Sequence, residues 1–285
     1  MTNKIIGIQG DKLDKINISS DTSIFLAHEA QKLGYKIFYY TPSNLSIIKN
    51  KTYANGVFVK LNYERKKFYK IYKKQKIDVE NLKFILIRQD PPFNSEYLIT
   101  TLILDNLKKT RVINNPVAIR NVSEKLYSKK FTKYMPDTIF SNNIDEIKKF
   151  FNKNKNMIMK PINGYGGNQI HLIKNKFNKK LITNFLKKNG HSMFQKFLKN
   201  ISKGDKRVFI INGKIVGAIS RVPKKGSFLS NISKGAVATN TKLTKIETMI
   251  SQIVAKDLKK EKIFFAGIDF IDQKLSGDIN VTSPT

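Results

Sequence analysis

Short apolar runs alternate with segments of helical spacing over the first 120 residues, and that alternation confines the chain to a few architectures. Residues 4–9 form an apolar run of strand length. Asp21, Thr22 and Ser23 then offer side-chain oxygens that can cap a helix, residues 24–33 carry apolar positions at helical spacing, and Gly34 stops them. Further β-rich runs follow at 36–40, 84–88 and 111–114, with a helix over 96–107 between the last two. Strand–helix–strand order predicts a mostly parallel sheet covered by helices, a Rossmann-like arrangement. The dinucleotide fingerprint G-x-G-x-x-G does not follow the first strand, which argues against a nicotinamide cofactor.

Beyond Asn121 the pattern changes. A helix over 122–131 precedes Pro136 and a strand, and another helix covers 145–151. The strand 157–160 leads into Pro161-Ile162-Asn163-Gly164-Tyr165-Gly166-Gly167-Asn168, which runs on into a strand over 169–173. Residues 207–221 read as a hairpin, because Asn212-Gly213 is a strong type I′ turn signal between two apolar runs. A helix over 245–259 places Ile246, Met249, Ile250, Ile253 and Val254 on one face. A second hairpin pairs 263–271 with 278–281 across a turn at 272–277, without internal repeats or low-complexity linkers anywhere.

Bulk properties exclude several classes. No apolar run approaches the ~18 residues of a membrane helix, and the N-terminus lacks an apolar core followed by a cleavage site, so a cytoplasmic address is expected. The absence of cysteine removes disulfides, thiolate metal sites and a Cys nucleophile together. Fifty-three Lys and Arg against 21 Asp and Glu give a net charge of +32. Basic surface attracts phosphate backbones, and lysines cluster at Lys66, Lys67, Lys70, Lys73 and Lys74. Lysine, isoleucine and asparagine are nevertheless abundant throughout, as compositional drift toward AT-rich codons gives. No RNP motif, zinc finger or helix-turn-helix accompanies the charge, so no specific nucleic-acid partner is expected.

Three constellations can carry chemistry. Gly164, Gly166 and Gly167 let backbone N–H groups approach a phosphate, although a glycine-rich hairpin is often purely structural, and no Gly-Lys-Ser/Thr makes it a Walker loop. Lys160 ends the preceding strand, within reach of a nucleotide phosphate. Asp269 interrupts an apolar run, a costly place for an unpartnered carboxylate, while Asp278 and Asn280 share one face of a strand. These three oxygen donors suit Mg²⁺, or else form the solvated polar face of a hairpin. Asp205, Arg207 and Arg221 bracket the Asn212-Gly213 hairpin, and arginine's planar fork suits carboxylate or phosphate. His28, His171 and His191 show no metal-ligand spacing.

Taken in order, these features resemble the prokaryotic glutathione synthetases of the ATP-grasp superfamily. The likeness is carried by Lys15-Ile16-Asn17-Ile18, Glu29-Ala30-Gln31, Gly34-Tyr35, Arg88-Gln89-Asp90-Pro91-Pro92-Phe93, Asn114-Asn115-Pro116 and Asn121-Val122-Ser123-Glu124-Lys125-Leu126. It continues through Lys160-Pro161 and the glycine loop, Gly204 to Arg207, Arg221, Pro223, Gly267-Ile268-Asp269 and Ile279-Asn280-Val281-Thr282-Ser283-Pro284-Thr285. The resemblance implies an α/β chain: a Rossmann-like pre-ATP-grasp domain over 1–120, then an ATP-grasp domain of two α+β subdomains, a lid over 121–198 and a catalytic part over 199–285. It implies a cytoplasmic ATP-dependent ligase, a homo-oligomer, that joins γ-glutamylcysteine to glycine.

By the same resemblance, Lys125 and Lys160 face the ATP phosphates under the loop Gly164, Tyr165, Gly166 and Gly167. Gln195, Phe197 and Leu198 fall at the adenine hinge, and Asp205 belongs to the nucleotide site. Asp269, Asp278 and Asn280 match ligands of Mg²⁺, with Mn²⁺ as an alternative. Arg207, Arg221 and Asn231 match catalytic groups, and Asp90, Pro91, Pro92 and Ser283 substrate contacts. Three departures stand out. The family's second metal carboxylate is Glu where this chain has Asp278, after a turn one residue longer. The loop after Arg221 reads Gly226-Ser227-Phe228-Leu229-Ser230-Asn231-Ile232-Ser233-Lys234-Gly235-Ala236, with Ser227 and Leu229 where an acid and an arginine are expected. Relatives are expected to continue beyond Thr285. A related ligase with another substrate, or a weakly active binding relative, is the alternative.

Overall fold

The computed structural model describes residues 4–18, 21–63, 67–224, 226–227 and 229–285. Lys66 and Phe228, named above, lie outside the described residues. The chain divides into two compact units, one of residues 1–121, 260–266 and 281–285, the other of residues 122–259 and 267–280.

The first unit contains β1 (Ile5–Gln9), α1 (Thr22–Lys32), β2 (Lys36–Tyr40), β3 (Leu45–Ile48), β4 (Lys51–Leu61) and β5 (Tyr69–Asp78). They are followed by β6 (Phe84–Ile87), α2 (Ser95–Asp105), β7 (Arg111–Ile113) and α3 (Pro116–Asn121). The strands form one seven-stranded sheet in the order β3-β4-β2-β1-β6-β7, with β5 added on β4. The β2-β1-β6-β7 part is parallel, as the alternation predicts. Strand period 2 splits the core: Ile37 and Tyr39 pack with Ile6, Ile8, Ile24 and Ala27 on the α1 side. Phe38 and Tyr40 pack with Ile85, Tyr97, Leu104 and Ile119 on the other. Asp21 caps α1 by accepting the Ile24 N–H at 2.7 Å, and Gly34 closes it in the left-handed region.

The antiparallel extension β3–β5 is not evident in the sequence. Gly56 lies inside β4, where the Phe38 ring and the Tyr39 carbonyl fill the space a side chain would need. Strand β5 is nearly all exposed and carries Lys70, Lys73 and Lys74, so no apolar alternation marks it. One residue ties the three segments of this unit together. Asn114 Nδ2 donates to the Phe265 and Val281 carbonyls, both at 2.7 Å, and Oδ1 accepts the N–H groups of Phe264 (2.9 Å) and Phe265 (2.7 Å). Its hydrogen-bonding capacity is thereby used in full.

The second unit contains two sheets. Strands β8 (Thr138–Ser141), β9 (Met157–Pro161), β10 (His171–Ile173) and β11 (Ser192–Lys196) form an antiparallel sheet in the order β10-β9-β11-β8. Helices α4 (Ile144–Asn154) and α5 (Lys179–Asn189) cover one face, burying Met157, Met159 and Phe194 among Ile147, Phe150, Ile182 and Phe185. Alternation along β9 and β11 therefore turns Lys160, Met193 and Gln195 to the face without helices. Strands β12 (Asp205–Ile211), β13 (Lys214–Val222), β14 (Val237–Asn240), β15 (Phe265–Ile271) and β16 (Lys274–Asn280) form the other sheet, ordered β14-β13-β12-β15-β16. Helix α6 (Lys245–Lys260) belongs to it.

Three sequence expectations are corrected here. The helix expected over 122–131 is instead a non-helical stretch after α3 followed by a 3-10 stretch, Leu126–Tyr134. An α-helix would need the Glu124 carbonyl for the Ser128 N–H, but that carbonyl accepts from Ile279 at 2.8 Å and Ser128 bonds Lys125 instead. Helix α6 buries Glu247, Ile250, Ser251, Val254 and Leu258, leaving Ile246, Met249 and Ile253 exposed. Glu247 is drawn inward by a capping box with Thr244 (2.8 and 3.2 Å) and by Lys206 at 2.9 Å. The turn expected at 272–277 is the two-residue Asp272-Gln273, both at positive φ. The extra length sits in β16 as an irregularity: Ile268 pairs with Ile279 but Phe270 with Leu275, so Asp269 faces the Ser276–Asp278 stretch.

Candidate active site

The charged groups of the second unit gather on the sheet faces that carry no helix. Along β12, Lys206 points to α6 through Glu247, so its neighbours Asp205 and Arg207 point the opposite way. Arg207 grips Asp269 with both arms of its fork, Nε and Nη2 each at 2.8 Å. Arg221 grips Asp205 in the same manner, at 2.8 and 2.6 Å, and also reaches Asp269 at 2.9 Å. Burial would raise the Asp269 carboxyl, but the two guanidinium groups hold it below the usual carboxylate range. For Asp205 burial prevails and its carboxyl is raised. Burial alone would lower Arg221; Asp269 and Asp205 reverse the sign and bind its proton more firmly.

A second cluster centres on Asp278. Lys160 Nζ donates to it at 2.8 Å and to the Ser276 carbonyl at 3.2 Å, while Lys125 Nζ lies 3.4 Å from its other oxygen. Lys125 also donates to the Gly164 carbonyl, which ties it to the glycine loop. Burial pushes the Asp278 carboxyl up, but Lys160 and Lys125 overcome this and leave it well below the usual range. Gly277, at φ 85°, packs so closely on Met193 and Met135 that an added Cβ would collide with them. This contact seats β16 against the open face of the four-stranded sheet.

The glycine loop is a pair of turns, Gly164 N–H to the Pro161 carbonyl (3.1 Å) and Asn168 N–H to the Tyr165 carbonyl (3.0 Å), with Gly166 and Gly167 in the left-handed region. Tyr165 is exposed. Gln195 is buried and bonded to Thr138 at 3.0 Å. The Phe197 N–H bonds the Asn156 carbonyl at 3.1 Å, and Leu198 leads into a short 3-10 turn. Asn231 lies against Gly167.

Asp269, Asp278 and Asn280 meet a requirement of a hard cation. Two carboxylates and an amide oxygen come from adjacent strands, and Asn280 Oδ1 is buried with no hydrogen-bond partner among the described residues. The same set contains only two acidic groups, and among the described residues no cluster of three or more His, Cys, Asp or Glu could hold a metal.

In the first unit, Ser283 Oγ donates to Asp90 at 2.8 Å, and the Asp90 N–H donates to Asp11 at 2.9 Å. Pro91 and Pro92 follow directly. Buried Arg88 donates to Ser23 (3.0 Å) and to the Pro284 carbonyl (3.1 Å), leaving Nη1 without a partner among the described residues. Burial raises both the Asp11 and Asp21 carboxyls. The charge of Arg88 also acts on Asp21, a relation that no local pattern in the sequence signals.

Residues 5–120 match the family described as prokaryotic glutathione synthetase, N-terminal domain, and residues 124–285 the ATP-grasp domain of the same family. Together the two matches define an ATP-grasp ligase, an ATP-dependent enzyme. The chain belongs to the prokaryotic glutathione synthetase family. It is 36% identical to the glutathione synthetase of Mesorhizobium japonicum, over 98% of this chain and 90% of the relative. Identity to the glutathione synthetase of Buchnera aphidicola subsp. Acyrthosiphon pisum is also 36%, over 98% of this chain and 89% of the relative. Among solved structures it is similar to D-cycloserine synthetase DcsG, with TM-score 0.69 at 12% identity over 98% and 92% of the two chains. It is also similar to D-alanyl-alanine synthetase A of Vibrio cholerae, with TM-score 0.64 at 15% identity over 99% and 90%. No helix among the described residues is long and apolar enough to cross a membrane.

Proposed function

We propose that this chain forms glutathione, joining the terminal carboxylate of γ-glutamylcysteine to glycine at the expense of ATP. The carboxylate takes the γ-phosphoryl group and ADP leaves. The neutral amine of glycine then attacks the acyl carbon, loses a proton, and expels phosphate. The observation that carries the site assignment is the convergence of Lys125, Lys160 and the glycine loop on Asp278, beside the Arg207–Asp269–Arg221 cluster. Lys125 and Lys160 would bind the nucleotide phosphates, with Gly164, Tyr165, Gly166 and Gly167 covering them. Gln195, Phe197 and Leu198 would border the adenine. Arg207 and Arg221 would stabilise charge growing on the transferred phosphoryl group. Asp205 orients Arg221, and Asn231 holds the covering segment against the glycine loop.

Asp269, Asp278 and Asn280 would hold Mg²⁺, which offsets phosphoryl charge when bound. Asp90, Pro91, Pro92 and Ser283 are assigned to the peptide substrate. A related ligation with a different peptide is favoured by one observation, the Ser227 and Leu229 positions of the loop. Incubating the protein with ATP, Mg²⁺, glycine and either γ-glutamylcysteine or other γ-glutamyl peptides, with mass detection of the product, tests both readings. Tripeptide from γ-glutamylcysteine supports the first. Its absence, with product from another peptide, supports the second.

A further inference from the structure

Two segments of the second unit meet directly. Lys234 Nζ donates to Asn168 Oδ1 at 2.7 Å, joining the segment after Arg221 to the end of the glycine loop. One residue back, Gly167 adopts φ 73°, and a side chain there would run into the Asn231 amide and then Leu229. The absence of a side chain at position 167 is therefore what lets the two segments close on each other. The other end of the contact is anchored. Buried Ser230 hydrogen-bonds Asp205, which is gripped by Arg221, which in turn reaches Asp269. Polar contacts thus tie this segment at two points, through Lys234 to Asn168 of the glycine loop and through Ser230 to the carboxylate cluster.

We propose that Lys234 and Asn168 are positioning residues that couple the two segments, so that nucleotide on the glycine loop fixes residues 229–236 over the acyl phosphate. The proposal rests on the ATP-dependent ligation argued above. The chain carries Ser227 and Leu229 where its family resemblance leads one to expect an acid and an arginine, so an ion pair between those positions cannot lock the segment. Lys234–Asn168 supplies a charge-assisted hydrogen bond in its place. An acyl phosphate exposed to water is hydrolysed, so loss of the contact should appear as phosphate released without peptide formed.

The test compares wild type, Lys234→Ala, Lys234→Arg, Asn168→Ala and the double alanine variant. Amide hydrogen exchange of 161–168 and 229–236 is followed with and without a non-hydrolysable ATP analogue, and phosphate and tripeptide are counted during turnover. In wild type the analogue should slow exchange in both segments. In either alanine variant protection of 161–168 should remain while that of 229–236 is mostly lost, and Lys234→Arg should restore it. Phosphate released per tripeptide should rise about three- to tenfold in either alanine variant, the scale of one solvent-exposed hydrogen bond. The double variant should be no worse than either single one. Equal protection of 229–236 in the alanine variants, additive effects in the double variant, or protection of 161–168 alone in wild type would overturn the coupling. Protection in neither segment would overturn it together with the nucleotide site. Wild-type coupling of the segments without any tripeptide would leave the coupling standing and refute the glutathione reading.

Discussion

Lys160 and Asp278 stand 118 residues apart in sequence and 2.8 Å apart in space, with Lys125 closing on the other carboxylate oxygen at 3.4 Å. Both lysines are buried, and an ammonium group taken out of water calls for an anion beside it. Asp278 provides that anion, and a nucleotide phosphate can provide it equally well.

Removing only the carboxylate should therefore cost more than removing the pair. Asp278→Ala leaves two ammonium groups facing each other and should destabilise the protein by about 2–3 kcal/mol. Asp278→Leu combined with Lys160→Met should cost less than Asp278→Ala. A polyphosphate or ATP should restore much of the melting temperature of Asp278→Ala. Thermal melts with and without the anion check this, and an anion that stabilises wild type and variant equally would count against it.

Acid should reveal two carboxylates of opposite sign. Asp278 is held below its ordinary value, so it lends stability above the unfolded value near ~3.9, and that stability is lost as pH falls through the lowered one. Asp21 is raised by burial, so its contribution is complete below the unfolded value and disappears as pH rises through the raised one. Asp278→Asn should then lie furthest below wild type near neutral pH and converge with it in acid. Asp21→Asn keeps an N-cap acceptor and should match or exceed wild type at neutral pH. Melting curves from about pH 3 to 7 settle the signs. An Asp278→Asn deficit that grows on acidification would be the wrong one.

Gly167→Ala should fail twice, by its positive φ and by collision with Asn231. About 1–3 kcal/mol of local strain is expected, read as weaker binding of an ATP analogue in calorimetry. Adding Asn231→Gly should recover the steric part and leave the backbone part.

The capping box of α6 gives a prediction remote from the chemistry. Glu247→Ala removes the acceptor for the Thr244 N–H and the partner of Lys206 inside the protein. A loss of about 1–3 kcal/mol in denaturant titration is expected, with the same substrate preference as wild type.

What could be read from the sequence was local. The Asn212-Gly213 turn and the Asp21 cap depend on neighbours a few residues away, the strands around β1 show in their own apolar runs, and each forms as read. Asp269 could be singled out because a carboxylate in an apolar run requires a partner. That its partners are Arg207 and Arg221 could not, because contacts across 62 residues leave no periodicity. The misread elements share one cause. The Glu124 carbonyl is claimed by Ile279, and Glu247 is turned inward by Thr244 and Lys206. In each case a tertiary contact outweighed a local preference.

The hydrogen bonds of Asn114 and Arg88 carry a consequence for synthesis. A ribosome delivers residues 1–121 first, yet Asn114 then has neither Phe264, Phe265 nor Val281 to bond, and Arg88 has no Pro284 carbonyl. The amide of Asn114 and the guanidinium of Arg88 must wait in water until nearly all of the second unit's chain has passed. A nascent chain halted before residue 264 therefore carries an N-terminal sheet with two polar groups still unburied, and the later stretches 264–265 and 281–284 complete the portion that was made first.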